Sequence, residues 1–136
     1  EDAALVGYFT LAIKPISVKA KNFSNTMKRK IARVSELDEV NGTYTLSAYL
    51  IAQLGKNFRD GLNERISGEQ LLQAAVDTIK ELQYMAGGMV VFLEAEEEEK
   101  LIHFYQEKNG FKRFDTKEVK GRTEDAHMLV QLLKIL

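Results

Sequence analysis

Apolar residues follow a strand-like pattern in two long stretches of the first half of the chain. Residues 6–13 and 44–54 are rich in aromatic and β-branched side chains, which favour extended backbone. We expect the first strand to end at Pro15, the only proline, because proline lacks the N–H that a sheet needs. Between the strands, four apolar residues at helical spacing predict a helix over 22–34. They are Phe23, Met27, Ile31 and Val34.

The middle of the chain contains a helix whose start and end are both marked. Ser67 and Gln70 form a capping box, and Gly87-Gly88 stops the helix. Between them, one apolar face is formed by Leu71, Leu72, Ala75, Val76, Ile79 and Leu82. A polar loop over 56–66 precedes the helix, and Gly55 is placed to form a bulge at the end of the preceding strand.

The last third of the chain predicts a buried strand, a second helix and two closing strands. The continuous apolar run 89–93 is typical of a parallel strand. The second helix runs from about 97 to 108, where Gly110 ends it in the left-handed conformation and Phe111 folds back onto the preceding turn. Because a strand–helix–strand crossover joins parallel neighbours, the strands on either side of the capped helix should be adjacent. The closing strands are 111–117 and 128–136.

Composition limits the classes of function. With 136 residues, of which 45% are hydrophobic and 29% charged, residues 1–136 should form one globular domain. Without an apolar run of about 18 residues, no membrane span is expected. A signal peptide is not expected either, because the sequence shows no charged start followed by a small-residue cleavage site. The absence of cysteine and the presence of two histidines argue against a metal site. A net charge of −1 gives no general attraction to nucleic acid. We therefore expect a cytoplasmic, metal-independent protein.

One short segment carries the strongest resemblance to a known family. Phe104-Tyr105-Gln106-Glu107-Lys108-Asn109-Gly110-Phe111 resembles the F-Y-x-x-x-G-F signature of the GNAT N-acetyltransferases. In that family the tyrosine protonates the thiolate of coenzyme A as it leaves. Local physics alone allows a second interpretation, in which the segment is a well-capped structural helix and Tyr105 is a core aromatic residue.

Other segments extend the resemblance over most of the chain, from about Val6 onward. Residues 6–12 are similar to the G-Y-Y-T-L-A strand of a branch that includes tRNA-acylating toxins, and 53–57 to the family's R-L-A-V-D strand end. Residues 66–72 lie where the family has G-x-G-x-x-L-L, the end of its pyrophosphate loop, and 128–136 fit its final strand.

The chain departs from the family pattern in two places. In the pyrophosphate loop, Ile66 replaces the first glycine, Asn63 stands at the usual Gln/Arg position, and the loop is about two residues longer than in the family. Family domains also begin with a strand and two helices that precede the first strand of this sequence. We therefore expect residues 1–136 to be an N-terminally incomplete GNAT domain.

The resemblance implies an α/β (α+β) acyl-CoA N-acyltransferase fold with acetyl-CoA as co-substrate and no metal. This fold has a mixed, mostly antiparallel sheet, flanked by helices, whose two central parallel strands splay to admit the cofactor. Pyrophosphate binding needs free N–H groups at a helix start, and Arg65 can add positive charge. The implied cofactor-binding residues are Leu54, Gly55, Lys56, Arg65, Ile66, Ser67, Gly68, Glu69 and Tyr105.

The reaction of a thioester with an amine requires a base, an oxyanion site and an acid, and the sequence offers a candidate for each. An alkyl ammonium titrates near ~10.4 and must lose a proton, for which Glu94, at the end of the 89–93 strand, is the best-placed base. A solvated strand end is the alternative for Glu94. A bulge near Leu54-Gly55 would aim amides at the oxyanion. A tyrosine near ~10 can protonate a thiolate whose conjugate acid has a pKa near ~8.5, which suits Tyr105.

The resemblance implies an enzyme, an acetyl-CoA-dependent N-acetyltransferase in which a small amine, a peptide or an aminoacyl-tRNA attacks the thioester directly. The alternatives are a non-catalytic module for binding or oligomerisation, such as a homodimer, and a toxin-like tRNA acylation. Four basic residues could contact RNA or the adenosine 3′-phosphate of coenzyme A, although a solvated helix face is the simpler interpretation. These are Lys28, Arg29, Lys30 and Arg33. The acidic run Glu96–Glu99 suits a helix start without any metal, and His103, about 200° from Tyr105 around the helix, is expected at the surface.

Overall fold

The computed structural model describes residues 3–119 and 127–136, so the predicted domain 1–136 extends over nine residues outside the described part. The strands are β1 Gly7–Lys19, β2 Thr43–Lys56, β3 Val90–Glu96, β4 Lys112–Val119 and β5 His127–Ile135. The helices are α1 Asn25–Ile31, α2 Gly68–Ala86 and α3 Glu99–His103. The sheet has the order β1-β2-β3-β5-β4. Within it β2 and β3 are parallel and the other neighbours antiparallel, which confirms the predicted mixed sheet.

The sheet separates two hydrophobic cores, because side chains alternate between the faces of each strand. The core under α2 includes Tyr49, Ile51, Leu72, Ile79, Val91, Leu93, Ala95, Tyr105, Phe111 and Leu132. The core under α1 includes Ile16, Val18, Phe23, Ile31, Leu46, Val90, Phe92, Phe114 and Leu133. The odd-numbered residues of β3 therefore face α2, and the even-numbered residues face α1.

The first strand is longer than predicted. β1 passes through Pro15, which pairs with Ser47, and ends at Lys19. The prediction that the strand ends at the proline was wrong because β1 lies at the edge of the sheet. On an edge strand a proline can replace a residue whose N–H would face solvent, so no hydrogen bond of the sheet is lost.

The bulge of β2 lies at Ala52 and not at Gly55, where it was predicted. The pairing register shifts between Thr10 and Leu11 of β1, and this shift leaves Ala52 without a partner. Gly55 pairs directly with Tyr8, and a Cβ atom at Gly55 would lie 3.0 Å from Tyr8 Cε1. The Tyr8 ring therefore covers Gly55, and a side chain there would press on that ring.

Two helices differ from their predicted extents. α1 is a short helix that follows a 3₁₀ turn at Ala20–Asn22, and Val34, expected on its apolar face, is 68% exposed. α3 begins at Glu99 and continues into one π-helical turn, Phe104–Lys108. None of the helices in the described part of the chain is long and apolar enough to cross a membrane.

Both ends of α2 follow the signals in the sequence. Ser67 Oγ accepts a hydrogen bond from Gln70 N at 3.0 Å, and Gln70 Oε1 accepts one from Ser67 N at 2.9 Å, which confirms the capping box. At the other end, Tyr49 Oη donates to the Gly87 carbonyl. Gly88 has φ +107°, and a Cβ atom there would lie 2.6 Å from Tyr49 Cε2, so only glycine fits at this position.

Candidate functional site

Open backbone edges line a gap between the two parallel strands. Ala48–Leu50 of β2 pair with Val90–Phe92 of β3, and the strands then continue to Lys56 and Glu96 without further pairing to each other. The predicted divergence of the parallel strands is thereby confirmed. Beyond the paired residues, the N–H and C=O groups on the facing edges are free to bind a molecule that enters the gap.

Tyr105 lies in the π-helical turn that follows α3. Four residues separate it from Gly110, one more than the three of the F-Y-x-x-x-G-F signature, and a π turn accommodates one extra residue in a helix. The wider turn frees two carbonyls. Asn109 Nδ2 donates to Phe104 O at 2.8 Å, and Phe111 N donates to Tyr105 O at 2.9 Å. Gly110 has φ +71°, as predicted for the residue that ends the helix.

Burial defines the chemistry of Tyr105. The side chain is 9% exposed and packs edge-on against the rings of Phe104 and Phe111, with centroids 5.2 and 5.9 Å away. No hydrogen bond within the described residues involves its hydroxyl. Burial raises the pKa of the Tyr105 hydroxyl above the ordinary value, because the phenolate would lose hydration. At neutral pH the group is therefore a proton donor without an acceptor among the described residues.

The start of α2 offers fewer free amides than the sequence suggested. The capping box already uses the N–H groups of Ser67 and Gln70, so Gly68 and Glu69 retain the unused ones. A Cβ atom at Gly68 would lie 3.5 Å from Phe104 Cζ, which brings the first turn of α2 against the π turn. The side chain of Arg65 is exposed at the end of the 3₁₀ segment that precedes Ile66.

The position predicted for the backbone amides that would face the oxyanion was wrong. The bulge was expected near Leu54-Gly55, but the structure has it at Ala52, so the irregular amides lie closer to the paired part of β2. Leu54 is half-buried against the core that contains Tyr105, and Lys56, at the end of β2, is half-buried. These residues still belong to the unpaired edge of the gap.

Glu94 lies inside β3 and not at its end, which corrects the sequence prediction. It pairs with Gln131 of β5, and its side chain is on the α1 face of the sheet, opposite Tyr105. The side chain is 15% exposed, and Lys117 Nζ lies 3.6 Å from its Oε2. Oε2 is buried and has no hydrogen-bond partner among the described residues, so the Lys117 ammonium is the cation that faces it.

The acidic run Glu96–Glu99, which joins the end of β3 to the start of α3, forms surface ion pairs. Glu97 Oε1 lies 3.4 Å from Arg113 Nη2, and Glu96 Oε1 lies 3.3 Å from His127 Nε2. Residues 3–119 and 127–136 contain no group of three acidic or histidine side chains arranged to hold a metal ion. His103 is exposed, as predicted.

The basic cluster of α1 lies at the other end of the sheet. Lys30 and Arg33 line a cavity of about 390 Å³ together with Ser47, Met89 and Leu136, near the starts of β2 and β3. The gap between these strands opens at their far ends. The α1 cluster is therefore remote from a cofactor held in the gap.

Solved structures share this architecture. AtaT complexed with acetyl-methionyl-tRNAfMet superposes with a TM-score of 0.56 at 19% identity, over 90% of this chain and 61% of that one. The protein has the fold of the GNAT acetyltransferases. A structure of a mutant AtaT toxin gives a TM-score of 0.56 at 18% identity, over 92% of this chain and 58% of that one. A structure described as a bacterial toxin gives 0.51 at 15% identity, over 93% and 59%.

The GNAT-fold chain thus spans about three fifths of the length of these toxins. No protein-family model and no curated protein sequence matches it.

Sequence reasoning missed three features of the site. The spacing between Tyr105 and Gly110 could have indicated the π turn, since one extra residue is visible in the sequence. Neither the ion pair of Lys117 with Glu94 nor the bulge at Ala52 has a local signal, because both depend on how distant strands align.

Proposed function

We propose that this protein is an acetyl-CoA-dependent N-acetyltransferase in which a primary amine attacks the thioester directly. The observation that carries the proposal is Tyr105: a largely buried side chain whose hydroxyl has a raised pKa and no acceptor among the described residues, on the α2 side of two diverging parallel strands. The hydroxyl oxygen itself is not fully enclosed, so it can donate its proton to a bound molecule.

Acetyl-CoA is placed between β2 and β3, with its thioester against the unpaired edge that includes Leu54, Gly55 and Lys56. Its pyrophosphate lies at the first turn of α2, where the amides of Gly68 and Glu69 are unused. Ser67 and Ile66 shape this turn, and Arg65 adds positive charge.

In the transfer, the amine nitrogen forms a bond to the carbonyl carbon, and backbone N–H groups on the edge of β2 stabilise the oxyanion. The intermediate then collapses, the C–S bond breaks, and the thiolate takes the proton of Tyr105. The proton released by the amine goes to Glu94, whose Oε2 has no other hydrogen-bond partner among the described residues. After the products leave, Glu94 releases its proton to water and water returns one to Tyr105.

The test is release of free coenzyme A from acetyl-CoA in the presence of primary amines, followed with a thiol reagent. This sequence has no cysteine, so the protein contributes no background. We expect acceptor-dependent thiol release. Calorimetry without heat on addition of acetyl-CoA, together with no thiol release from any amine, would instead support the non-catalytic binding module.

An aminoacyl-tRNA is the second candidate acceptor. AtaT, which shares the fold, was solved in complex with acetyl-methionyl-tRNAfMet. The exposed side chains of Arg29, Lys30 and Arg33 offer a phosphate-binding surface on this chain. A reaction between acetyl-CoA and an aminoacyl-tRNA would place the protein in the cytoplasm. Acetylation of methionyl-tRNA that falls on charge reversal of the α1 lysines and arginines would support this acceptor over free amines.

A further inference from the structure

A cavity lies at the start of β2, at the end of the parallel strands opposite the gap. Its volume of about 390 Å³ is typical of sites for small molecules. The apolar part of its lining includes Val34, Met89 and Leu136. Lys30 and Arg33 are its cationic residues, and of the described residues that line it none is acidic. The cavity therefore combines an apolar surface with an excess of positive charge.

The two cations have no counter-ion in the described part of the chain. Both side chains are exposed, and the ion pairs of residues 3–119 and 127–136 involve other groups. Arg33 N donates to Lys30 O at 3.3 Å, so both residues belong to the turn that ends α1. One anionic group can therefore contact both side chains.

Thr45 presents free backbone groups to the same cavity. Ser47 O accepts a hydrogen bond from Met89 N at 3.4 Å, so odd-numbered residues at the start of β2 direct their N–H and C=O groups toward β3. On this side Thr43 pairs with Asp38 in an isolated bridge, and the pairing with β3 begins after Ser47. Between these two places no described strand lies opposite Thr45, which lines the cavity. Its N–H and C=O are therefore free to pair with a ligand.

We propose that this cavity binds an N-acylated amino acid with an apolar side chain. Thr45 pairs with the ligand as with one residue of an antiparallel strand: its C=O accepts from the amide N–H, and its N–H donates to a carboxylate oxygen. Lys30 and Arg33 contact the carboxylate, and the apolar side chain lies against Val34 and Met89. An RNA backbone on the same cations would use neither the Thr45 backbone nor the apolar lining, so these features favour the amino acid derivative.

Calorimetry with N-acetyl-leucine tests the proposal on the wild-type protein. We expect a dissociation constant of about 1 mM or lower. Three related ligands each lack one recognised group: N-acetyl-leucine amide lacks the carboxylate, N-acetylglycine the side chain, and 4-methylpentanoate the amide. Each should bind roughly ten-fold more weakly, or worse. No binding of N-acetyl-leucine, or equal binding of all the ligands, would overturn the proposal.

Variants locate the site. In the double variant Lys30→Ala/Arg33→Ala, binding of N-acetyl-leucine should weaken by roughly ten-fold or more. The matched control is Lys21→Ala/Arg29→Ala, which removes one exposed lysine and one exposed arginine that do not line the cavity. This control should bind like the wild type. Equal losses in the two double variants, or no loss in Lys30→Ala/Arg33→Ala, would overturn the site.

Competition separates this cavity from other anion sites. Binding of N-acetyl-leucine should persist in excess coenzyme A, because the cavity and the gap lie at opposite ends of the parallel strands. It should also persist in an equal concentration of inorganic phosphate, which has no apolar side chain. Loss in coenzyme A would place the ligand in the gap, loss in phosphate would identify a general anion site, and either would overturn the proposal.

The proposal is independent of the acetyltransferase function. None of these measurements follows thiol release, so a failure of acetyl transfer leaves their result unchanged. Melting temperatures of the variants identify any loss of affinity that comes from unfolding.

Discussion

Replacing Tyr105 by phenylalanine removes one hydroxyl and keeps the ring. The rings of Phe104 and Phe111 still pack against it, and no hydrogen bond within the described residues is lost. Because the hydroxyl is not fully enclosed, its removal exposes no buried group, and stability should change by less than about 1 kcal/mol. For a chain of this size, a change of about 1 kcal/mol moves Tm by roughly 3 °C, and we expect no larger decrease.

The expected effect on catalysis is much larger. General acid catalysis contributes about 10²–10⁴ in rate. At about 1.36 kcal/mol per factor of ten, the barrier should rise by roughly 3–5 kcal/mol. Because the hydroxyl acts only as the thiolate leaves, kcat should fall and the KM for acetyl-CoA should stay nearly constant.

The assay measures single-turnover thiol release and Tm on the same preparation. Tyr84→Phe is the matched control, because Tyr84 is 93% exposed near the end of α2 and far from the gap. This control should change neither quantity. A folded Tyr105→Phe protein with full turnover would refute the proton-donor role and leave the fold unaffected. A large fall in Tm with unchanged turnover per folded molecule would show that Tyr105 is a structural core residue.

Three further predictions concern stability, titration and the base. Gly88→Ala should destabilise the protein by about 2–5 kcal/mol, since a left-handed φ and a contact at 2.6 Å from the Tyr49 ring add together. The control is Gly42→Ala, at a position with φ +65° and open space around it. Chemical denaturation should show that this variant loses only about 1 kcal/mol of unfolding free energy. If both variants lost the same amount, the contact with Tyr49 would not contribute. In an alkaline ultraviolet titration one tyrosinate should form above the ordinary pKa of about 10 and be absent from Tyr105→Phe. Because the pKa of Tyr105 is raised in the folded state, its contribution to stability is complete at pH values below the pKa of the unfolded chain. That contribution is lost as the pH rises through the pKa of the folded protein. Identical tyrosinate spectra of the wild type and Tyr105→Phe would contradict the raised pKa. Glu94→Gln should lower kcat by about 10²-fold with an unchanged Kd for acetyl-CoA, and normal kcat would remove its role as base.

Elements with local signals were predictable from the sequence. Ser67 and Gln70 form the hydrogen bonds of the capping box with each other, and Gly110 ends its helix through its own positive φ. Neither feature depends on distant residues. The parallel pairing of β2 and β3 also followed, because a helical crossover of this length leaves few alternatives. The amphipathic face of α2 is buried as its spacing predicted.

Features that depend on strand alignment were not predictable. Pro15 marks the end of a strand in the interior of a sheet but is tolerated in β1, and the sequence does not reveal that β1 is an edge. The bulge at Ala52 arises from its register with β1. Glu94 and Lys117 meet across β5, which lies between their strands although it follows both in the chain.

The two residues proposed for proton transfer lie on opposite faces of the sheet. Tyr105 belongs to the core under α2, and Glu94 faces α1. They can act on one reacting carbon only if that carbon lies in the gap between β2 and β3, where the sheet is open. The amine then approaches from one face as the thiolate leaves toward the other. The proposed direct attack requires this arrangement, because both sides of a single carbonyl in the gap must then be accessible at once.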